Sequence, residues 1–141
     1  MPKYISKVLY DFEFMINRIH HISIICSDYE KSKIFYTKIL GLEVIREIYR
    51  EARQSYKLDL ALHGEYILEL FSFPSPPHRL SQPEATGLRH IAFEVDDLDE
   101  AVSYFRKYEI IAEQIRIDET TNKRFTFIPD PDGLPVELYE K

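Results

Sequence analysis

The segment Arg18–Asp28, RIHHISIICSD, returns 69 positions later as Gly87–Asp97, GLRHIAFEVDD. Aligning His21 with His90 pairs Ile22 with Ile91, Asp28 with Asp97 and, further on, Tyr36 with Phe105. This duplication constrains the fold more than any single motif. A chain of 141 residues is then one domain, or two small halves that share a core. An apolar fraction of 45%, with ten Tyr and nine Phe, suffices to build that core.

Each copy opens on a strand and passes into a helix. Ser27 stands three residues before Glu30, and Asp97 three before Glu100, the spacing of capping pairs. The first helix is expected to run to about Leu40 and stop at Gly41, while the second fades near Tyr108. Strand-like runs follow at Leu42–Tyr49, Tyr56–Leu62 and Tyr66–Phe73, and then at Ile111–Ile117, Arg124–Ile128 and Leu134–Tyr139. Turns are expected at His63-Gly64 and at DPDG, Asp130–Gly133. Each half therefore reads βαβββ, an α+β class. Modules 18–73 and 88–140 form a single domain, 18–140, joined by a Pro-rich connector, 74–87. An N-terminal arm, 1–17, carries Tyr4, Val8, Tyr10, Phe12 and Phe14. It reads either as docked over an edge strand or a partner subunit, or as an upstream extension with Met15 as the biological start.

Both modules end their last strand with a glutamate in an apolar frame, Glu69 in YILELF and Glu137 in LPVELY. His21 precedes Glu69 by 48 positions and His90 precedes Glu137 by 47. Strand alternation places Ile22, Ile24 and Cys26 on one face and His21, Ser23 and Ile25 on the other. In the repeat Ile91, Phe93 and Val95 oppose His90, Ala92 and Glu94, and the two glutamates oppose apolar neighbours. One face should hold the helices; the other, carrying His and Glu, should line a cavity. Two His and two Glu on such a face suit a divalent cation, because buried carboxylates otherwise need another partner. The competing reading is four unrelated structural or solvated side chains. His20, His63 and His78 have no counterpart in the repeat and read as structural.

Composition removes several function classes. No apolar run reaches the length of about 20 residues needed to span a bilayer, and the N-terminus lacks signal-peptide organisation. A single cysteine, Cys26, cannot form an internal disulfide, so a reducing, cytoplasmic setting is expected. A formal charge of −6 argues against a nucleic-acid partner. The basic stretch REIYR with Arg53 and Lys57 reads first as a solvated strand edge.

The stretches HHISIICSDYEKSKIFYTKILGLEV, YILELFSF, GLRHIAFEVDDLDEA and DPDGLPVELYE resemble the vicinal oxygen chelate superfamily, the glyoxalase/bleomycin-resistance/dioxygenase group. Within it the chain is similar to small bacterial glyoxalase I-like metalloproteins. The resemblance implies two βαβββ modules forming an incomplete eight-stranded barrel around a metal site, with His21, Glu69, His90 and Glu137 as ligands. It implies one divalent ion, Zn or Ni first, with Fe, Co or Mn as alternatives. It also implies lyase or isomerase chemistry on a small substrate with vicinal oxygens, through an enediolate-type intermediate. Glu69 or Glu137 would act as base, Glu137 being favoured, and a homodimer is expected. The alternative is a non-catalytic metal- or ligand-binding protein, or a resistance protein, of the same fold. Glyoxalase I carries an arginine four residues after its first His ligand that helps bind glutathione; here that position is Ile25. Glutathione-dependent activity is therefore expected to be weak. Arg53, Lys57 or Arg124 would have to hold an anionic substrate instead.

Overall fold

A computed structural model describes residues 15–141; the calls on the arm's Tyr4, Val8, Tyr10, Phe12 and Phe14 fall outside the described residues. The first module runs β1 (Ile22–Cys26), α1 (Tyr29–Ile34), β2 (Glu43–Arg50), β3 (Ser55–Leu62) and β4 (Glu65–Ser72). The second runs β5 (Ile91–Val95), α2 (Leu98–Arg106), β6 (Arg116–Ile117), β7 (Arg124–Pro129) and β8 (Pro135–Glu140). Each module forms a four-stranded mixed sheet, in the orders β1-β4-β3-β2 and β5-β8-β7-β6. The first strand pairs parallel with the last in both, and the remaining pairs are antiparallel. This is the expected α+β architecture of duplicated βαβββ units. The two sheets are separate and do not close into a barrel.

The apolar alternation explains this arrangement. Ile24, Cys26, Leu58, Leu68 and Leu70 from the first sheet and Ile91, Ile128, Val136 and Leu138 from the second belong to one buried cluster. Tyr29, Phe35 and Tyr36 of the first helical segment and Leu98 and Phe105 of α2 join it. One core thus lies behind both sheets, and their polar faces turn away from it. Polar bonds cross the seam between modules. The Tyr36 hydroxyl donates to Asp130 Oδ2 at 2.7 Å, and Tyr104 donates to the Ile39 carbonyl at 2.8 Å. The Ser27 amide donates to Asp132 Oδ2 at 3.0 Å, and its hydroxyl also meets Asp132.

Local signals are met with three differences. The cap of α1 is Asp28, which accepts from the Lys31 amide at 3.1 Å, because Ser27 is engaged by Asp132. Asp97 caps α2 as the spacing requires, accepting from Glu100 at 2.9 Å. The first helix continues as a π-helical turn, Phe35–Ile39, before Gly41 takes a left-handed φ of 81°. The strand expected over Ile111–Ile117 shrinks to Arg116–Ile117. Ile110, Ala112 and Ile115 there pack on the core without strand alternation, while Glu113 bonds to Phe127 through its amide and accepts from Thr126. The His63-Gly64 turn has φ values of 50° and 80°, the paired left-handed residues of a tight hairpin.

Candidate metal centre

Strand register brings His21 and Glu69 together. Ser23 on β1 lies opposite Glu69 on β4, and His21 precedes β1 on the same side. His21 Nε2 is 2.5 Å from Glu69 Oε1, and the Ser23 hydroxyl donates to the same oxygen at 3.0 Å. The Glu69 side chain is 8% exposed and that of His21 34%, so the carboxylate is seated in the sheet and the imidazole stands at its surface. The second module repeats the pair. Ala92 lies opposite Glu137, and His90 Nε2 is 3.0 Å from Glu137 Oε2. His90 Nδ1 is buried and has no hydrogen-bond partner.

The two halves differ in what stands beside each pair. Across the first sheet the register aligns Ser23, Glu69, Asp59 and Arg46 in one row and Ile25, Phe71, Lys57 and Ile48 in the next. Lys57 Nζ reaches Asp59 at 2.9 Å and Glu69 at 3.1 Å. Arg46 donates to Asp59 through Nε at 3.1 Å and Nη2 at 2.9 Å, and Tyr66 donates to it at 3.2 Å. Burial pushes the Asp59 carboxyl upward, but Lys57 and Arg46 outweigh this and hold it below the usual range. Burial acts on Glu69 in the same sense, and Lys57 and Ser23 outweigh it there too. In the second sheet the row beside Glu137 is aromatic. Phe127 lies opposite it, with its ring 5.2 Å from that of His90. Arg116 covers Phe125 and Phe127 at 5.1 and 5.6 Å. The connector returns over this half, so that Arg79, Arg89, Arg116 and Phe127 line a cavity of about 230 Å³ that includes His90.

The residues expected to meet substrate are placed differently from one another. Lys57 is in the first pair's network. Arg53 lies over the ring of Phe73 at 5.4 Å. Arg124 faces the helix side, bonded to Glu140 at 2.7 and 2.8 Å and to Asp99 at 3.0 Å. Asp59, Arg46 and Tyr66 were not anticipated. The alternation of Lys57 and Asp59 with Leu58 and Leu60 in β3 carries the signal that finds one of them, Asp59.

Each pair offers an imidazole nitrogen and a carboxylate oxygen, a donor set suited to a divalent cation. Glu69 is already engaged by Ser23 and Lys57, whereas among the described residues Glu137 has His90 as its one polar side-chain partner, so the second half-set is the less satisfied of the two. Among the described residues, however, no three such side chains converge. The donors fit a cation as two half-sets, not as one closed site within the chain.

The profile of the Glyoxalase/Bleomycin resistance protein/Dioxygenase superfamily matches residues 18–138. The chain is 61% identical over 127 residues to the Bacillus subtilis (strain 168) protein YwkD, covering 90% of this chain and 99% of that one. It is 29% identical over 133 residues to the lactoylglutathione lyase of Escherichia coli O157:H7, covering 88% of this chain and 93% of that enzyme. Its fold matches the crystal structure of a glyoxalase family protein from Enterococcus faecalis with a TM-score of 0.83 and 43% identity. That match covers 90% of this chain and all of the other.

Proposed function

The chain belongs to the Glyoxalase/Bleomycin resistance protein/Dioxygenase superfamily, and on that premise we propose that it is a metal-dependent lyase or isomerase acting on a small substrate with adjacent oxygens. The observation that carries this reading is the pair of equivalent His–Glu contacts, His21–Glu69 and His90–Glu137, on the outward faces of two like sheets. A complete set of four ligands then comes from two copies of the chain. The first module of one protomer faces the second module of its partner, and a homodimer holds two such sites.

When bound, a divalent cation supplies Lewis-acid stabilisation of charge on substrate oxygens. The chain's own residues divide the remaining work. Glu69 is fixed by Ser23 and Lys57 and is kept ionised, which suits a permanent ligand. Glu137 has His90 as its only polar side-chain partner among the described residues, which leaves its carboxylate able to take a carbon-bound proton as general base. Asp59 and Arg46 hold Lys57 against Glu69, and Phe127 and the connector limit water near His90. The alternative, ligand binding without turnover, draws on Ile25, which is 56% exposed on the open face and offers no cation for glutathione.

The test is metal analysis of purified protein, followed by assay of Ni- and Zn-loaded samples with hemithioacetals of methylglyoxal. One metal per chain and turnover of a hemithioacetal are expected. A protein that retains no metal, or loads it without needing His21 and His90, overturns the reading. Turnover of the glutathione adduct should be weak because Ile25 cannot make a bidentate contact. A kcat/KM in the ordinary enzyme range, on the order of 10⁴–10⁸ M⁻¹s⁻¹, would contradict this.

A further inference from the structure

Beyond the metal row, the open face of the first sheet carries two arginines that share an aromatic floor. Arg50 Cζ lies 4.8 Å from the Phe71 ring centroid and 5.9 Å from that of Phe73. Arg53 Cζ lies 5.4 Å from Phe73. The two rings are nearly parallel, 10° apart in plane, with centroids 5.9 Å apart. Arg53 reaches this place because the chain after β2 makes a 3₁₀ turn, Glu51–Arg53, closed by Gln54 at a φ of 47°. We propose that Arg50 and Arg53 form an oxyanion subsite, and that the substrate carries adjacent oxygens at one end and a carboxylate or phosphate at the other.

Three observations support this assignment. Among the described residues neither arginine has a carboxylate partner, whereas Arg46 on the same strand as Arg50 is paired with Asp59, and Arg116 and Arg124 in the other sheet are also paired. That leaves two adjacent unneutralised cations in a chain of formal charge −6. Stacking on an aromatic ring accounts for the position of a guanidinium, but not for an idle donor. Arg50 Nη2 donates to Ser55 at 3.0 Å, while its Nε has no partner among the described residues, so the guanidinium is only partly satisfied. Lys57, on the same face of the sheet, is turned toward the row of Glu69 by Asp59 and Glu69 and does not compete for the role.

Spacing sets the size of the molecule. Phe71 and Phe73 follow Glu69 by two and four residues on or beside β4. At about 3.3 Å per residue they lie about 7 and 13 Å from it along the strand. The substrate therefore has a spacer of that order, lying on Ile25, Phe71 and Phe73, between its chelating end and its anionic end. Guanidinium forks bind carboxylate and phosphate in the same way, so the chemistry of the site does not distinguish them. The inference rests on the metal reading above for the position of the chelating end.

Two probes of equal chain length test it, octanohydroxamate and suberic acid monohydroxamate, which differ by a terminal carboxylate. Calorimetric titration into Zn-loaded protein should show the carboxylated probe binding at least about tenfold tighter, a difference of about 1.4 kcal/mol. The double variant Arg50→Gln/Arg53→Gln should erase that preference. Equal affinity of the two probes in the unaltered protein, or a preference that survives the double variant, overturns the proposal. If the double variant does not fold, exposed Arg53→Gln alone must reduce the preference. Suberate titrated into metal-free protein supplies a separate readout. The side-chain Nε resonances of Arg50 and Arg53 should shift saturably. A shift without hydroxamate binding in loaded protein sustains the subsite and defeats the metal reading; no shift defeats the subsite. Displacement of the carboxylated probe by inorganic phosphate at lower concentration than by acetate assigns the anionic end to phosphate, and the reverse order assigns it to carboxylate.

Discussion

At the scale of single residues, the two glutamates differ in their company more than in their position. Glu69 is braced on two sides and Glu137 on one. Glu137→Gln is therefore expected to abolish turnover and lower metal content, measured by rate and by elemental analysis on the same sample; an undiminished rate removes Glu137 from the base role. Asp59 bears a structural load. Its side chain is 2% exposed and accepts from Lys57, Arg46 and Tyr66. Asp59→Asn should cost roughly 2 kcal/mol in urea unfolding at neutral pH, the scale of hydrogen bonds to a charged group. Because the folded protein holds this carboxyl below its ordinary value, the contribution is complete above about pH 3.9 and is lost as pH falls through the folded value. The gap in stability between the two proteins should shrink on acidification over that window.

At the scale of elements, the buried bond from Tyr36 to Asp130 ties the first helical segment to the DPDG turn of the other module. Asp130 Oδ1 already accepts from the amides of Asp132 and Leu134, so Oδ2 depends on the Tyr36 hydroxyl. Tyr36→Phe keeps the ring and strands that oxygen, and should destabilise by about 1–3 kcal/mol in the same unfolding assay. Much of this level was legible from residue order alone. The duplication predicted the two βαβββ units, and the alternation of Ile22, Ile24 and Cys26 predicted the core face. What escaped depended on tertiary context. Ser27 could not be excluded as a cap without Asp132, which lies 105 positions away. The irregular 110–115 segment is apolar enough for a strand, but its side chains follow the core and not a sheet. Arg50 looks like any strand-edge cation until Phe71, Phe73 and Ser55 surround it.

At the scale of the whole molecule, the separation of the two His–Glu pairs makes a sharp claim about assembly. Mix chains carrying Glu69→Gln with chains carrying Glu137→Gln and let them re-associate. If sites form between protomers, each mixed dimer has one site with both defects and one with none. About half of randomly paired dimers are mixed, so metal content and any turnover should recover to about a quarter of the unaltered level; no recovery would mean that each site lies within one chain. The shared core behind the sheets has a further consequence, because it commits both polar faces to whatever lies outside the chain. If the sites form between protomers, metal retention and self-association become one equilibrium. Dilution below the dimer dissociation constant should then release the ion, and added ion should draw monomers together, so that the abundance of the protein would set its own metal affinity.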